Sequence, residues 1–406
     1  MTIQDITIIG AGAAGCFCGA LCGESNPALK IRLLEKTRQP LSKVKISGGG
    51  RCNVTHHCFD IPFLIEHYPR GKDFLQAAFF QFQPKTMIEW LSNKGVTLKA
   101  ETDGRMFPIT NRSQTIIDCF LSILEKQKAT VSLESEVISI RHIEGIFHLE
   151  LKTGEIVLSK KVLFATGGVQ KTYALLESLG HLIIPPIPSL FTFEVQEEWL
   201  KALSGSVASS AKIFLEGFPK KITGPVLVTH WGLSGPATLK LSAFAARWLF
   251  DRKYQATVFV NWIGESDITV KETLFETRKI FVSKKIALTP LFSLSKNLWK
   301  ALVLQASQEL ENKTWAQVSK QEIEKLFWQL TQTKFTLVGK SLNKEEFVTS
   351  GGVDLDEVHP KTLESKKVPG LYFAGEVLNI DGVTGGFNFQ NAWTTAYLAA
   401  KSMTFH

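Results

Sequence analysis

The fold is decided by a stretch near the carboxyl end of the sequence, Gly370-Leu-Tyr-Phe-Ala-Gly-Glu-Val-Leu-Asn-Ile-Asp-Gly-Val-Thr-Gly-Gly-Phe-Asn-Phe-Gln-Asn-Ala-Trp393. Its pattern predicts a strand over residues 369–374, a glycine-rich turn, and a final helix over residues 386–403. A second glycine pattern, Gly10-x-Gly12-x-x-Gly15, lies at the other end of the chain. Two strand–turn–helix units that serve one ligand predict that both chain ends build a single domain, with the residues between them inserted into it.

The amino-terminal glycine pattern lies in a βαβ context. Residues 5–9 are a short apolar run typical of a buried parallel strand, residues 14–22 predict a helix of small residues, and residues 30–35 predict a second strand. In such a unit the glycines allow a tight turn, a close approach to a pyrophosphate and close helix–strand packing, while the acid that ends the second strand accepts hydrogen bonds from a ribose. The predicted dinucleotide-binding residues are Gly10, Gly12, Ala13, Ala14, Gly15, Glu35 and Lys36.

A second glycine-rich segment, Ser47-Gly-Gly-Gly-Arg-Cys-Asn53, follows the second strand in a loop predicted over residues 37–53. Further along the chain, residues 63–95 are predicted to be helical and residues 347–353 to form a strand. Three successive glycines favour a backbone that passes close to a flat or charged group. Arg51 can neutralise a pyrophosphate or a flavin carbonyl, and Asn53 can hydrogen-bond a ring; the alternative is a flexible surface loop with a solvated arginine. Gly49, Gly50, Arg51, Cys52 and Asn53 are therefore assigned to the cofactor site, and Arg51 is also a catalytic candidate.

Two later strand ends complete the predicted site. Ala165-Thr-Gly-Gly168 ends a buried strand, at the edge where parallel sheets bind ligands. Gly385-Gly386 opens the final helix, whose positive end suits the part of a flavin where negative charge collects on reduction. The paired motifs indicate FAD, and the predicted cofactor residues in this half of the site are Val137, Ala165, Thr166, Gly167, Gly168, Gly375, Glu376, Asp381, Gly385, Gly386, Phe387 and Asn388.

Taken together, these motifs resemble the BaiN/YhiN-like family of FAD-dependent oxidoreductases, which includes aminoacetone-oxidase-like flavoproteins. The resemblance covers essentially the whole chain and also includes Thr229-His-Trp-Gly-Leu-Ser-Gly-Pro236 and Thr349-Ser-Gly-Gly-Val353. It implies non-covalent FAD in a bipartite domain that carries an inserted module of barrel and helices. Asn379 and Asn391 depart from the acid and the apolar residue that are usual in the family, which affects the tuning of the flavin rather than its binding.

The Thr229–Pro236 motif supplies the second catalytic candidate. His230 can act as a general acid or base because imidazole titrates near neutrality, and Trp231 can stack on a substrate. The alternative is a turn in which the histidine caps the backbone.

Charge and cysteine usage limit the choice of partners and compartment. The formal net charge is +8, but the lysines are scattered along the sequence, so we do not expect nucleic acid as a partner. No apolar run is long enough to span a bilayer, and six cysteines in a chain of 406 residues do not resemble a disulfide scaffold, which favours the cytoplasm. Cys52 and Cys58 flank two histidines; a zinc site lacks the usual separated halves, whereas a redox pair of thiols beside the flavin is kept as an alternative.

The sequence thus predicts an α/β protein with a Rossmann-like FAD-binding domain built from residues 1–188 and 346–406. The inserted module covers residues 189–345 and is expected to be β-rich over 189–265 and helical over 266–332. The predicted function is that of an FAD-dependent oxidoreductase that moves a hydride between flavin N5 and a small organic substrate, with NAD(P)H as a transient co-substrate left open. An RNA-modifying flavoprotein and a thiol/disulfide flavoprotein that uses Cys52 and Cys58 are the alternatives, and the oligomeric state is left open.

Overall fold

A computed structural model describes residues 2–341 and 348–404. Its chain divides into two compact units, one from residues 1–188 and 348–406 and the other from residues 189–347. The predicted boundary at residues 345 and 346, and Phe347 of the strand predicted there, lie outside the described residues. None of the helices in the described ranges has both the length and the apolar character needed to cross a membrane.

The strands, in chain order, are β1 Gln4–Ile9, β2 Ile31–Leu34, β3 Thr55–His56, β4 Leu98–Ala100, β5 Arg105–Pro108, β6 Thr130–Ser132, β7 Val137–Ile143, β8 Ile146–Leu151, β9 Ile156–Phe164, β10 Ile183–Pro188, β11 Thr192–Val195, β12 Val207–Leu215, β13 Lys221–Val228, β14 Gly232–Ser234, β15 Ala256–Asn261, β16 Thr333–Ser341, β17 Thr349–Val353 and β18 Leu371–Phe373.

The α-helices are α1 Ala13–Ser25, α2 Ser42–Gly50, α3 Ile61–Ile65, α4 Lys72–Phe79, α5 Pro84–Asn93, α6 Gln114–Lys126, α7 Gln170–Ser178, α8 Glu198–Lys201, α9 Pro236–Phe244, α10 Ala246–Asp251, α11 Asp267–Ile280, α12 Lys296–Ala306, α13 Lys320–Thr331 and α14 Phe387–Thr404.

The first unit is built on a seven-stranded sheet in the order β6-β2-β1-β9-β8-β7, with β18 also paired to β9. The strand β9 is long enough to pair with β8 along its first half and with β18 along its last residues. Val162 of β9 pairs in parallel with Thr7 of β1 on one side and with Leu371 of β18 on the other. The two chain ends therefore share one sheet.

The second unit is a closed barrel in the order β11-β14-β13-β12-β15-β16, joined to the helices α11, α12 and α13. The inward side chains alternate along the strands, and Phe193, Ile213, Val258 and Phe335 are each fully buried in a core that the helices extend with Trp299 and Leu326. The predicted fold class, a Rossmann-like domain with an inserted barrel and helical module, is confirmed.

Two local predictions were wrong. The segment of residues 63–95 forms three helices instead of one, because Gly71 adopts a left-handed φ of 77° before α4 and Pro84 starts α5 after another break. The loop predicted over residues 37–53 contains α2, which is interrupted by non-helical backbone at Ser47, Gly48 and Gly49.

His181, between α7 and β10, is buried between Glu357 and Ser365, whose side chains lie 3.0 and 2.9 Å from its two ring nitrogens. Burial lowers the pKa of this histidine, more than the neighbouring carboxylate of Glu357 raises it. Since the folded pKa lies below the unfolded value of about 6.5, the unfolded chain takes up a proton that the folded chain does not. Stability is then lost as the pH falls below about 6.5.

We therefore expect the melting temperature to fall between pH 7.5 and pH 5.5, and to fall less in the variant His181→Gln, which cannot take up this proton. Thermal unfolding of both proteins at the two pH values is the measurement. An equal pH dependence of wild type and variant would show that His181 does not contribute.

Candidate functional site

The turn between β1 and α1 is shaped by packing at two of its glycines and is open at the third. Gly10 has a φ of +101°, and a Cβ there would lie 2.5 Å from the carbonyl oxygen of Ala165. A Cβ on Gly15 would overlap the carbonyl oxygen of Gly10, whereas a Cβ on Gly12 would meet nothing within 4 Å. Gly12 is also the N-cap of α1, and it has no side chain to cap the first N–H groups, including those of Ala13 and Ala14. The turn therefore leaves an open helix N-terminus, which suits an anion.

Glu35 lies beside this turn at the end of β2. Its carboxylate accepts hydrogen bonds from the backbone N–H of Ala11 at 3.0 Å and of Thr37 at 2.9 Å. Its own backbone carbonyl accepts from the N–H of Ser135 at 2.8 Å, two residues before β7 begins at Val137. The carboxylate is thus fixed in place with acceptor capacity left over, and the adjacent Lys36 is exposed.

The glycine triplet at the end of α2 is the second open part of the site. Gly49 and Gly50 both have positive φ, and a Cβ on either would meet nothing within 4 Å. The next residue, Arg51, forms an ion pair with Glu101 at 2.5 Å, and its guanidinium lies 4.0 Å from the centre of the Phe107 ring. Glu101 neutralises part of the charge that Arg51 could offer an anion, and the catalytic role of Arg51 stays a prediction.

The triplet loop meets the N-terminus of α14. Gly386 has a φ of +95°, and a Cβ there would lie 2.5 Å from the carbonyl oxygen of Thr55 and 3.0 Å from Asn53 Oδ1. That oxygen of Asn53 is buried and has no hydrogen-bond partner within residues 2–341 and 348–404. Asn388 holds the preceding turn through bonds of 2.8 Å to both the N–H and the carbonyl of Gly382. A buried polar atom without a protein partner beside a helix N-terminus is the arrangement expected where a ligand binds.

An aromatic stack supports the same helix end. The ring of Phe387 stacks on those of His56 and His67, at centroid distances of 4.7 and 4.2 Å. The Nε2 atom of His56 lies 3.0 Å from the carbonyl oxygen of Asp103, and Tyr68 donates its hydroxyl to the carbonyl of Phe387 at 2.8 Å. These contacts fix the first turn of α14.

Glu376 joins three segments at the carboxyl ends of β9 and β18. Its carboxylate binds Lys43 Nζ at 2.7 Å and accepts from the backbone N–H of Thr349 at 2.9 Å. Gly167 and Gly168, which follow Ala165 and Thr166, lie against the same carboxylate. Gly375, one residue earlier, is close to Ala14 of α1. The carboxylate of Glu376 therefore ties the predicted strand-end motifs together.

Asp381 has a different environment from the other predicted residues. It is fully buried, and both of its carboxylate oxygens bind the guanidinium of Arg70, one of them at 2.6 Å from Nε. A buried bidentate pair of this kind fixes the chain, because removal of one partner leaves an unpaired charge. Its role in cofactor binding stays a prediction.

His230 lies in the second unit, at the tip of the turn between β13 and β14. The backbone of Thr229 and Gly232 closes this turn with two hydrogen bonds of 2.8 and 3.1 Å. The His230 side chain is exposed and contacts the ring of Trp231, whose exposed fraction is 50%. The turn predicted as the alternative is present, but the backbone bonds are made by Thr229 rather than by the histidine.

Sequence reasoning missed several residues that shape the site. These residues are Lys43, Thr349 and Arg70. Each forms an ion pair or hydrogen bond with a residue more than 25 positions away, and no local motif predicts such a contact. The sequence signal for Thr349 is indirect, because it opens the Thr-Ser-Gly-Gly-Val motif, whose residue types do not indicate a role.

The residues present fit FAD. Gly12, Gly49 and Gly50 border open space, α1 and α14 present their N-termini, Glu35 offers a carboxylate for hydroxyl groups, and Asn53 offers a buried oxygen. No group of three or more His, Cys, Asp and Glu side chains in the described part of the chain could hold a metal ion.

Comparison with known proteins agrees with this geometry. The family described as HI0933-like protein Rossmann domain matches residues 4–402. The chain belongs to this family. It is 30% identical to the ribosomal RNA dihydrouridine synthase of Escherichia coli K12, over 98% of both chains. It is 26% identical to the 3-dehydro-bile acid delta(4,6)-reductase of Clostridium scindens, over 98% of this chain and 99% of that one.

Among solved structures, the 3-ketosteroid delta1-dehydrogenase of Sterolibacterium denitrificans matches with a TM-score of 0.53 at 12% identity, and the match covers all of both chains. That similarity shows a shared fold. The resemblance stated from the motifs is confirmed, and the chain is an enzyme of an FAD-dependent oxidoreductase family.

The different surroundings of Gly12 and Gly15 give a matched pair of variants. Gly15→Ala forces a Cβ into the Gly10 carbonyl, so we expect the FAD-free protein to lose about 1–3 kcal/mol of stability. Gly12→Ala has free space in the protein, so we expect the FAD-free protein to melt as wild type does but to bind FAD more weakly. Thermal unfolding without FAD and fluorescence titration with FAD are the measurements. Wild-type FAD affinity in Gly12→Ala would contradict the placement of the ligand at this turn.

Proposed function

We propose that this enzyme reduces a carbon–carbon double bond conjugated to a carbonyl group, with uridine in ribosomal RNA as the first candidate substrate. The observation that carries the proposal is the chemistry common to the two relatives named above, each matched over nearly its whole length. Dihydrouridine is uridine with its C5–C6 double bond saturated, and that bond is conjugated to a ring carbonyl. A delta(4,6)-reductase acting on a 3-dehydro bile acid likewise saturates a double bond conjugated to a ketone.

In this proposal the first unit holds the cofactor. Gly12 and the N-terminus of α1 bind the pyrophosphate, and Glu35 binds the ribose hydroxyls. Gly49, Gly50, Asn53 and the N-terminus of α14 border the flavin ring. FAD supplies the hydride when bound, and NADH or NADPH is the proposed transient donor that reduces the flavin again.

Saturation of a double bond also needs a proton on the second carbon. His230 is the proposed proton donor: its ring is exposed at the tip of a turn that Thr229 closes without it. Trp231 beside it offers a flat surface on which a base or another ring can stack.

A thiol/disulfide function is less well supported. Cys52 is completely buried, and burial raises the pKa of its thiol to about 12. Burial also raises the pKa of Cys58. Thiolates are the reactive species, so both groups are poorly placed for exchange. Six free thiols do fit the proposed cytoplasmic location.

A small organic enone is the second candidate substrate, because the Clostridium scindens relative acts on a bile acid and matches over the same length. Both candidate substrates would undergo the same reaction, saturation of a double bond conjugated to a carbonyl group. One experiment can therefore address both.

We expect NADPH or NADH, added without oxygen, to bleach the flavin of the purified protein. We then expect ribosomal RNA that lacks dihydrouridine to gain two hydrogens at a uridine, detected by mass spectrometry of its nucleosides. Ribosomal RNA transcribed in vitro and a 3-keto-4,6-diene bile acid are offered in parallel. Reduction of the bile acid with no change in the RNA would favour the second candidate, and a protein that binds no flavin after reconstitution would exclude both.

The variant His230→Gln distinguishes protonation of the substrate from reduction of the flavin by the nicotinamide. We expect bleaching by the nicotinamide to proceed at the wild-type rate, while product formation slows by about 100-fold or more, as is typical when a general acid is removed. His57→Gln, which changes an exposed histidine of the first unit, is the matched control. Product formation at the wild-type rate in His230→Gln would assign the histidine to the turn alone.

A further inference from the structure

Four side chains form a row across the outer wall of the barrel. Lys221 of β13 is the register partner of Phe214 of β12, Phe214 is the partner of Phe259 of β15, and Phe259 is the partner of Lys334 of β16. Register partners project from the same face of a sheet, so the four side chains stand side by side. We call this row the Lys–Phe ladder.

The ladder lies outside the barrel core. Lys221 and Lys334 are exposed, and both phenylalanines are half-buried, whereas the next residues along the strands, such as Ile213 and Val260, are fully buried. The Phe214 and Phe259 rings are stacked at 5.2 Å with an angle of 17°, and Lys221 Nζ lies 4.6 Å from the centre of the Phe214 ring. Two large flat rings thus lie on the outer wall, in a row whose end positions are lysines.

The same outer face leads into a cavity of about 620 Å³. Three of the residues that line this cavity are Glu216, Thr257 and Thr336. They lie two positions along the chain from Phe214, Phe259 and Lys334, respectively. The cavity lining also includes Trp248 and Arg252, whose guanidinium lies 3.9 Å from the centre of the indole. Successive rows on one face of a sheet are about 7 Å apart, so the ladder and the cavity are adjacent.

Basic charge is concentrated in this part of the chain. Residues 207–261 contain seven Lys and Arg against two Asp and Glu, a net charge of +5 out of +8 for the whole sequence. One of the two acids, Glu216, lies in the cavity. Lys221 and Lys334 of the ladder and Arg252 of the cavity are positively charged, which favours a polyanion at this surface.

We propose that the Lys–Phe ladder and the adjacent cavity bind a single-stranded segment of RNA. Aromatic rings on a barrel wall stack on bases, and flanking lysines contact the phosphates between them. The Trp248–Arg252 pair offers a base in the cavity a flat surface of the kind that unpaired RNA bases use. This inference rests on the proposed function, in which the substrate is ribosomal RNA, and it adds the surface that holds the strand.

The test uses the full-length FAD-loaded protein and a short fluorescent oligouridylate, with a duplex RNA for comparison. Binding is measured by fluorescence polarisation between about 50 and 200 mM salt. Lys221→Gln/Lys334→Gln should lower the slope of log affinity against log salt by about 1.4, because each phosphate contact with a single strand contributes about 0.7. Phe214→Leu/Phe259→Leu should weaken binding about tenfold through loss of stacking.

Lys320→Gln/Lys325→Gln is the matched control, since it removes the same charge from exposed positions on α13 of the same unit. Bleaching of the flavin by the nicotinamide should match wild type in all variants, and the melting temperature should match it in the two lysine variants. A loss of affinity in the ladder variants alone, with preference for the single strand, supports the proposal.

Three results would overturn it. Ladder variants that bind oligouridylate as wild type does, while wild type forms dihydrouridine in ribosomal RNA, would refute the ladder and leave the proposed function standing. A wild-type protein that neither binds RNA nor forms dihydrouridine would refute both. Ladder variants that convert a dimeric wild type to monomers with unchanged RNA binding would assign the surface to contacts between two copies of the chain.

Discussion

The candidate site depends on one backbone junction, where β1 and β9 end side by side. The N–H of Ala165 donates to the carbonyl of Ile9 at 2.9 Å, and that of Ala374 donates to the carbonyl of Phe164 at 3.0 Å. Three strands, from the beginning, middle and end of the first unit, therefore finish at one level of the sheet. A side chain at Gly10 would separate the first two, since its Cβ would lie 2.5 Å from the Ala165 oxygen. The open turns that follow the strands are brought together only because this junction closes.

The electrostatic character of the site follows from that geometry. The N-termini of α1 and α14 each carry partial positive charge, and glycines rather than side chains border them. Three carboxylates of the first unit are ion-paired: Glu376 with Lys43, Asp381 with Arg70, and Glu101 with Arg51. With these charges paired, the unpaired positive ends of the helices favour an anionic ligand that can lie close to the backbone.

Most of the framework could be predicted from sequence because glycine spacing and strand patterns are local. The turn at Gly10, the acid at Glu35 and the final helix after Gly386 each follow from a few adjacent residues. Partners of charged side chains could not be predicted, since Arg51 and Glu101, or Arg70 and Asp381, meet only after the chain has folded. The segment of residues 63–95 breaks into shorter helices because Gly71 and Pro84 override its apolar pattern.

The basic charge illustrates the same limit and changes the argument about substrate. Along the sequence the lysines are scattered, and no run of like charges indicates nucleic acid. Barrel register brings Lys221 and Lys334, more than 100 positions apart, to the two ends of one row with two phenylalanines between them. A pattern of period two along each strand cannot reveal this row, because the row runs across strands whose pairing is set by the closed barrel. Scattered lysines along a sequence therefore do not exclude RNA binding, since strand pairing can place them beside aromatic rings on one face of the barrel.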